Sequence, residues 1–210
     1  MEGDNALYDL SFNDENTELL DMIDDPQIMY ERVSKEIKGQ KIAFIDAEFK
    51  DGDYHEIAYE IVVDGVVIEE DYMLESKHYK RMLKKDKTNR YKRLKEYGRN
   101  FKVMHRKHIN RILKTKLKDV KFILAHNAYG ERNILKKNGI NFEKSKYICT
   151  AKVASTFILG QSPSLMEVNE FYKLPYDSHF THYAFEDTSM ARKVFHKMLE
   201  EAGERYRGER

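Results

Sequence analysis

The sequence predicts an α/β fold, a mixed sheet flanked by helices, and three observations carry that expectation. Strand-like runs come first and in succession between residues 42 and 74. The second and third of these runs are joined by Asp64-Gly65, a dipeptide suited to a tight hairpin turn. Beyond residue 105, apolar periods of helix and strand type alternate to the end of the chain. The 210 residues suffice for one domain with a real core and are short for two.

Element by element, residues 1–13 show no period, and Leu19, Leu20, Met22 and Ile23 suggest a short amphipathic helix. Asp25 is a candidate N-cap with Pro26 at the first helical position; Ile28, Met29, Val33 and Ile37 then recur at helical spacing until Gly39. Ile42-Ala43-Phe44-Ile45 is a compact apolar run, as expected of a strand buried on both faces. Glu56–Val63 and Val66–Leu74 form the hairpin. Ile109, Ile112, Leu113 and Leu117 share one helical face, and Phe122–Ala125 reads as another buried strand. A short helix over Glu131–Lys137, a fifth strand over Tyr147–Thr150, and helices over Leu165–Phe171 and Ala184–Leu199 complete the reading. The boundaries that follow are an acidic helical extension (1–39), a domain over 40–203 with a basic helical insertion at about 76–104, and a charged tail (204–210).

Net charge is near zero although 35% of residues are charged, so affinity for a polyanion has to come from distribution. Residues 1–30 contain no Lys or Arg, whereas 77–121 are crowded with them and hold only Asp86, Glu96 and Asp119 as acids. The first segment repels phosphate and the second attracts it. The sole cysteine, Cys149, excludes an intramolecular disulfide and a Cys-ligated zinc centre. With no leader-like start and no run approaching the ~20 apolar residues of a membrane span, a cytoplasmic protein that makes no use of a membrane is expected.

Asp46 and Glu48 end the first strand two residues apart, so in extended chain both side chains point to one face. Alone, that pair reads as a strand ending in solvated acids, because Asp-x-Glu is common. Glu131, opening a helix after a buried strand, and Asp187, near the start of the last long helix, change the balance, because strand ends and helix starts on one sheet edge gather the chemistry of α/β folds. Four converging carboxylates repel one another unless a cation neutralises them, and carboxylate oxygens suit Mg²⁺ and Mn²⁺.

The run Ile42-Ala-Phe-Ile-Asp-Ala-Glu48, followed by His55-Glu-Ile-Ala-Tyr-Glu-Ile-Val-Val-Asp-Gly65, resembles the first motif and hairpin of the DEDDh (DnaQ-like) 3′–5′ exonucleases, the family of the proofreading epsilon subunit of bacterial replicative polymerase. Ala125-His-Asn-Ala-Tyr-Gly-Glu131 is similar to its second motif, and Ser164–Tyr172 followed by His182-Tyr-Ala-Phe-Glu-Asp187 to its third region. The resemblance spans Lys41 to about Leu199. It implies a ribonuclease H-like fold whose five-stranded sheet has the order 3-2-1-4-5, with the second strand antiparallel to the rest. It also implies hydrolysis of DNA or RNA from a single-stranded 3′ end with two Mg²⁺ or Mn²⁺ ions about 4 Å apart. Asp46, Glu48, Glu131 and Asp187 then hold metal, and His182 takes the proton from the attacking water. One departure stands out. The family has Asp where this chain has Glu131, and an aromatic residue where it has Gly130.

Tyr183 competes with His182, since Tyr183-Ala-Phe-Glu-Asp187 also resembles the third motif of the DEDDy branch; the imidazole is preferred because it titrates near neutral pH. His126 and Asn127 either contact substrate or satisfy turn backbone. Lys84, Lys85, Arg90, Lys92 and Arg93, interleaved with Tyr79, Tyr91, Tyr97 and Phe101, suit phosphate contact with base stacking, against the alternative of a solvated helix whose rings pack inward. The acidic extension is a candidate protein-binding arm or a helical cap. An exonuclease is the leading function, and a nucleic-acid-binding or replication accessory module with impaired catalysis is the alternative.

Overall fold

The computed structural model describes residues 33–50, 52–84, 89–142, 144–155 and 163–208. Residues 33–37 are helical, with Val33 buried, and a turn follows through Gly39 at φ +66°; residues 1–32, including the helix read from Leu19 and the Asp25 cap, lie outside the described residues.

The apolar run from Ile42 becomes the middle of the sheet. Ile42–Ile45 in β1 (Ile42–Lys50) are buried on both faces, which alternating polar residues would not permit. β2 (Asp53–Val63) and β3 (Val66–Glu75) make the hairpin, and Asp64 and Gly65 both take positive φ (48° and 83°), as a tight turn between twisted strands requires. The chain continues through α1 (Ser76–Lys84), α2 (Asn89–Glu96), β4 (Lys102–Met104), α3 (Arg106–Lys116), β5 (Phe122–Ala125), α4 (Ala128–Lys137), β6 (Lys146–Cys149), α5 (Thr150–Ala154), α6 (Leu165–Phe171), a 3-10 turn (Ser178–Phe180) and α7 (Ala184–Gly208).

The sheet order is β4-β3-β2-β1-β5-β6. β2 runs antiparallel to both neighbours, and the β1–β5, β5–β6 and β3–β4 pairs are parallel. The expected five-stranded order is thus present with a sixth strand added at its edge. β4 comes from the end of the basic stretch and pairs with Met73–Glu75. Three residues are too few to display a strand period, and this edge went unread in the sequence.

Two apolar clusters hold the layers. The larger one seats α7 on β1, with the Phe195 ring edge-on to Phe44 at 5.8 Å. The smaller one joins Tyr72 and Leu74 of β3 to Tyr91 and Leu94 of α2 and to Phe180 and Tyr183 before α7. This second cluster fixes the basic segment onto the sheet, because the inward face of α2 is apolar while Lys92 and Arg93 face solvent. α7 continues to Gly208, beyond the expected end at Leu199, so residues 204–208 of the expected tail are helical. Among the described residues no helix is long and apolar enough to cross a membrane.

Candidate active site

Asp46 faces Ala58 and Glu48 faces Glu56 across the β1–β2 pair, so both acids lie on one face near the end of β1. Directly after Glu48 the register shifts, and such a bulge re-aims the strand end. Glu131 approaches from α4. Helix α4 begins three residues earlier than read from sequence, because the Asn127 side chain caps it by accepting from the Gly130 N–H at 3.2 Å. Glu131 therefore sits within the first turn, only 5% exposed, and its carboxylate accepts the backbone N–H of Ala47, between Asp46 and Glu48. The longer side chain thus reaches the backbone of β1. A Cβ at position 130 would meet the Asn127 carboxamide, which would have to turn to make room.

Asp187 stands in the first turn of α7, its N–H donating to the Tyr183 carbonyl at 3.0 Å. His182, two residues before that helix begins, is exposed and has φ +61°, a conformation uncommon outside glycine. One ligand atom each from Glu48, His182 and Asp187 lie within 4.8 Å of one another. Tyr183 is buried instead. It is 4% exposed and packs edge-on to Phe180 and Phe185 at 5.3 and 6.0 Å.

The electrostatics follow from this crowding. Asp46 keeps partial exposure as a residue while its carboxyl group is enclosed. Burial, then the charges of Glu131, Asp187, Glu48 and Glu56, hold that carboxyl well above the usual carboxylate range. Burial also pushes Glu131 to about 8, opposed by the Ala47 N–H and helped by Glu48. Its Oε2 is buried without a hydrogen-bond partner. An orphaned carboxylate oxygen beside further acids fits oxygen-seeking divalent cations, and Asp46, Glu48, Glu131 and Asp187 are carboxylates that could hold them.

Glu56 was read only as part of a strand, yet it belongs to this neighbourhood. Fully buried, it accepts from the hydroxyls of Tyr72 at 2.7 Å and Tyr91 at 3.4 Å. A charged residue inside an otherwise apolar strand was the available signal. Through Tyr91 it links α2 to the strand opposite Glu48.

The two ring nitrogens of His126 engage the Thr150 hydroxyl at 3.0 Å and the Pro163 carbonyl at 2.8 Å, and burial lowers its pKa. His126 and Asn127 thus serve the turn and the helix cap. Lys84, Lys92 and Arg93 are exposed, Lys92 pairing with Glu96 at 3.6 Å; Arg90 is helical, and Lys85 lies outside the described residues. The rings expected to stack on bases mostly pack inward. Tyr91 is 2% exposed, Tyr79 lies 5.1 Å from Tyr91 and 6.1 Å from Phe101, and the half-exposed Tyr97 leans on Phe180 at 5.3 Å. Burial of large apolar rings at the α2 contact outweighs their exposure.

No family model and no curated relative matches the sequence. Among solved structures, exonuclease X in complex with 5′ overhanging duplex DNA is similar, with a TM-score of 0.53 and 20% identity over 77% of this chain and 93% of that one. Exonuclease I in complex with the inhibitor BCBP aligns with a TM-score of 0.49 and 11% identity over 78% of this chain and 43% of that one. The first likeness shows the fold alone: a mixed sheet flanked by helices, shared with that structure.

Proposed function

We propose that the protein is a metal-dependent 3′–5′ exonuclease that hydrolyses phosphodiester bonds of DNA or RNA. The observation that carries this reading is the convergence of Asp46, Glu48, Glu131 and Asp187 beside an exposed His182. Divalent cations held by the four carboxylates would lower the pKa of the attacking water and offset charge on the leaving 3′ oxygen. The chain's own contribution is positional. β1 supplies Asp46 and Glu48 from a buried, rigid strand, and the first turns of α4 and α7 bring Glu131 and Asp187 to it.

His182, exposed beside Glu48 and Asp187, is the group we assign to accept a proton from water. Tyr183 is enclosed by aromatic rings, which favours the histidine branch of the family. Raised carboxyl pKa values at Asp46 and Glu131 fit a site completed by cations, because only positive charge makes four ionised acids tolerable there. A second reading, a binding module with impaired catalysis, is favoured by one feature: at about 8, the Glu131 carboxyl is protonated at neutral pH in the metal-free protein.

Digestion with Mn²⁺ of single- and double-stranded DNA and RNA, labelled at either end, tests the proposal. Mononucleotides released first from the 3′ label support it. Internal cuts, release from the 5′ end or no release count against it.

A further inference from the structure

At the end of the sheet where β1 passes Glu48 and β2 begins, a cavity of about 510 Å³ opens outside the carboxylate cluster. Its cationic lining is Lys50, Lys77, Arg81, Arg106 and Lys107. The two acids in its wall are already engaged. Asp53 pairs with Arg106 at 2.7 Å, and Glu75, 4% exposed, accepts the His78 backbone N–H at 2.8 Å. Among the described residues no salt bridge engages Lys50, Lys77 or Lys107. The cavity therefore carries surplus positive charge, contributed by three separate parts of the chain.

One wall is built. His55 and His78 stack at 4.1 Å with 20° between their planes, and Arg81 donates to His78 Nδ1 at 2.9 Å, which anchors the guanidinium at the cavity. The position matters as much as the charge. Lys50 follows Glu48 by two residues, about 7 Å along the strand, and His55 precedes Glu56, the cross-strand partner of Glu48. A chain of phosphates ending at the carboxylates would bring its next phosphates to this wall.

We propose that this cavity is a phosphate subsite gripping the backbone of the nucleic-acid strand beside the bond to be cut, with Lys50, Lys77, Arg81 and Lys107 as its cations. The source of the phosphate rests on the exonuclease reading; the chemistry is that of any phosphate ester or of free phosphate. It differs from the expectation for the basic segment, because the gripping residues on α1 are those of its first two turns and not Lys84 at its end.

The test is binding of a fluorescein-labelled oligothymidylate in chelator, with inorganic phosphate as competitor. Lys77→Ala/Arg81→Ala and Lys107→Ala, all exposed positions, should each raise Kd about tenfold. The slope of log affinity against log salt should fall by about 0.7 for each phosphate that the variant no longer neutralises. Phosphate should compete less well against the variants than against the unmodified protein. Lys118→Ala, at the opposite end of the sheet, should bind as the parent does, and matching melting curves establish that the variants are folded. Parent-like Kd and slope in the cavity variants, or no binding by the unmodified protein, overturns the subsite. A protein that binds through the cavity yet releases no nucleotide with Mn²⁺ keeps the subsite and loses the exonuclease reading, and cleavage indifferent to the cavity does the reverse.

Discussion

Glu131→Gln should make the metal-free protein more stable at neutral pH while disabling it. The Glu131 carboxyl rises from an ordinary 4.5 to about 8. A carboxylic acid whose folded pKa is raised stabilises the fold fully below the unfolded value and loses that contribution as pH climbs toward the folded one. At about pH 7.5 the loss is roughly 4 kcal/mol, at 1.36 kcal/mol for each pH unit above the ordinary value. Glutamine removes this loss and its carbonyl still accepts the Ala47 N–H. Its amide nitrogen, however, falls where Oε2 now lacks a partner, a cost of about 1–3 kcal/mol. The net gain of roughly 1–3 kcal/mol corresponds to several degrees in Tm, at about 2–4 °C per kcal/mol for a chain of this size. At about pH 5 the carboxyl's penalty shrinks below about 1 kcal/mol, so the variant should melt with or below the parent. Thermal unfolding in chelator at both pH values reads this directly. A variant that melts lower at pH 7.5, or a shift equal at both pH values, refutes the argument. Added Mn²⁺ should raise the parent's Tm more than the variant's.

The remaining predictions concern the proton acceptor, the basic segment and the buried network. His182→Ala should lower turnover by ~10²–10⁴-fold at saturating Mn²⁺, whereas Tyr183→Phe, which alters only a hydroxyl in an aromatic cluster, should cost much less; the reverse order in single-turnover rates would move the protein to the tyrosine branch. Neutralising Lys84, Lys85, Arg90, Lys92 and Arg93 should weaken oligonucleotide binding and lower its salt slope by about 0.7 for each phosphate left without its cation, and an unchanged slope would turn that surface away from the substrate. Tyr72→Phe deprives the buried Glu56 of its shorter hydrogen bond and should lower stability by about 1–3 kcal/mol, measured by urea unfolding; an unchanged midpoint would mean that water or Tyr91 replaces the donor.

The sheet was legible because its strands are buried runs and because Asp64-Gly65 commits the chain to a hairpin. The placement of the acids was legible for the same reason: strand ends and helix starts meet at one edge, and Glu48, His182 and Asp187 do come together. What escaped was decided by packing between distant segments. β4 exists because Lys102–Met104 can complete the edge beside Met73–Glu75, which no period within three residues announces. Tyr79 and Tyr91 looked equally suited to bases and to a core, and the apolar face they share with Leu94 and Phe180 decided it. Glu56 was hidden because only the fold brings Tyr72 and Tyr91 to it. The role of Asn127 as the cap of α4, accepting from the Gly130 N–H, is an interaction within three residues that the sequence alone left open.

The central claim is that Asp46 lies at the heart of a cation-dependent hydrolytic centre, and its most direct test compares Asp46→Ala with the parent. Mononucleotide release from a 3′-labelled oligonucleotide with Mn²⁺ is measured alongside Tm in chelator. Loss of cleavage with an unchanged or raised Tm is expected, since removing one acid relieves the repulsion that holds the Asp46 carboxyl well above its usual range. Cleavage by Asp46→Ala at a rate close to the parent's would contradict the account.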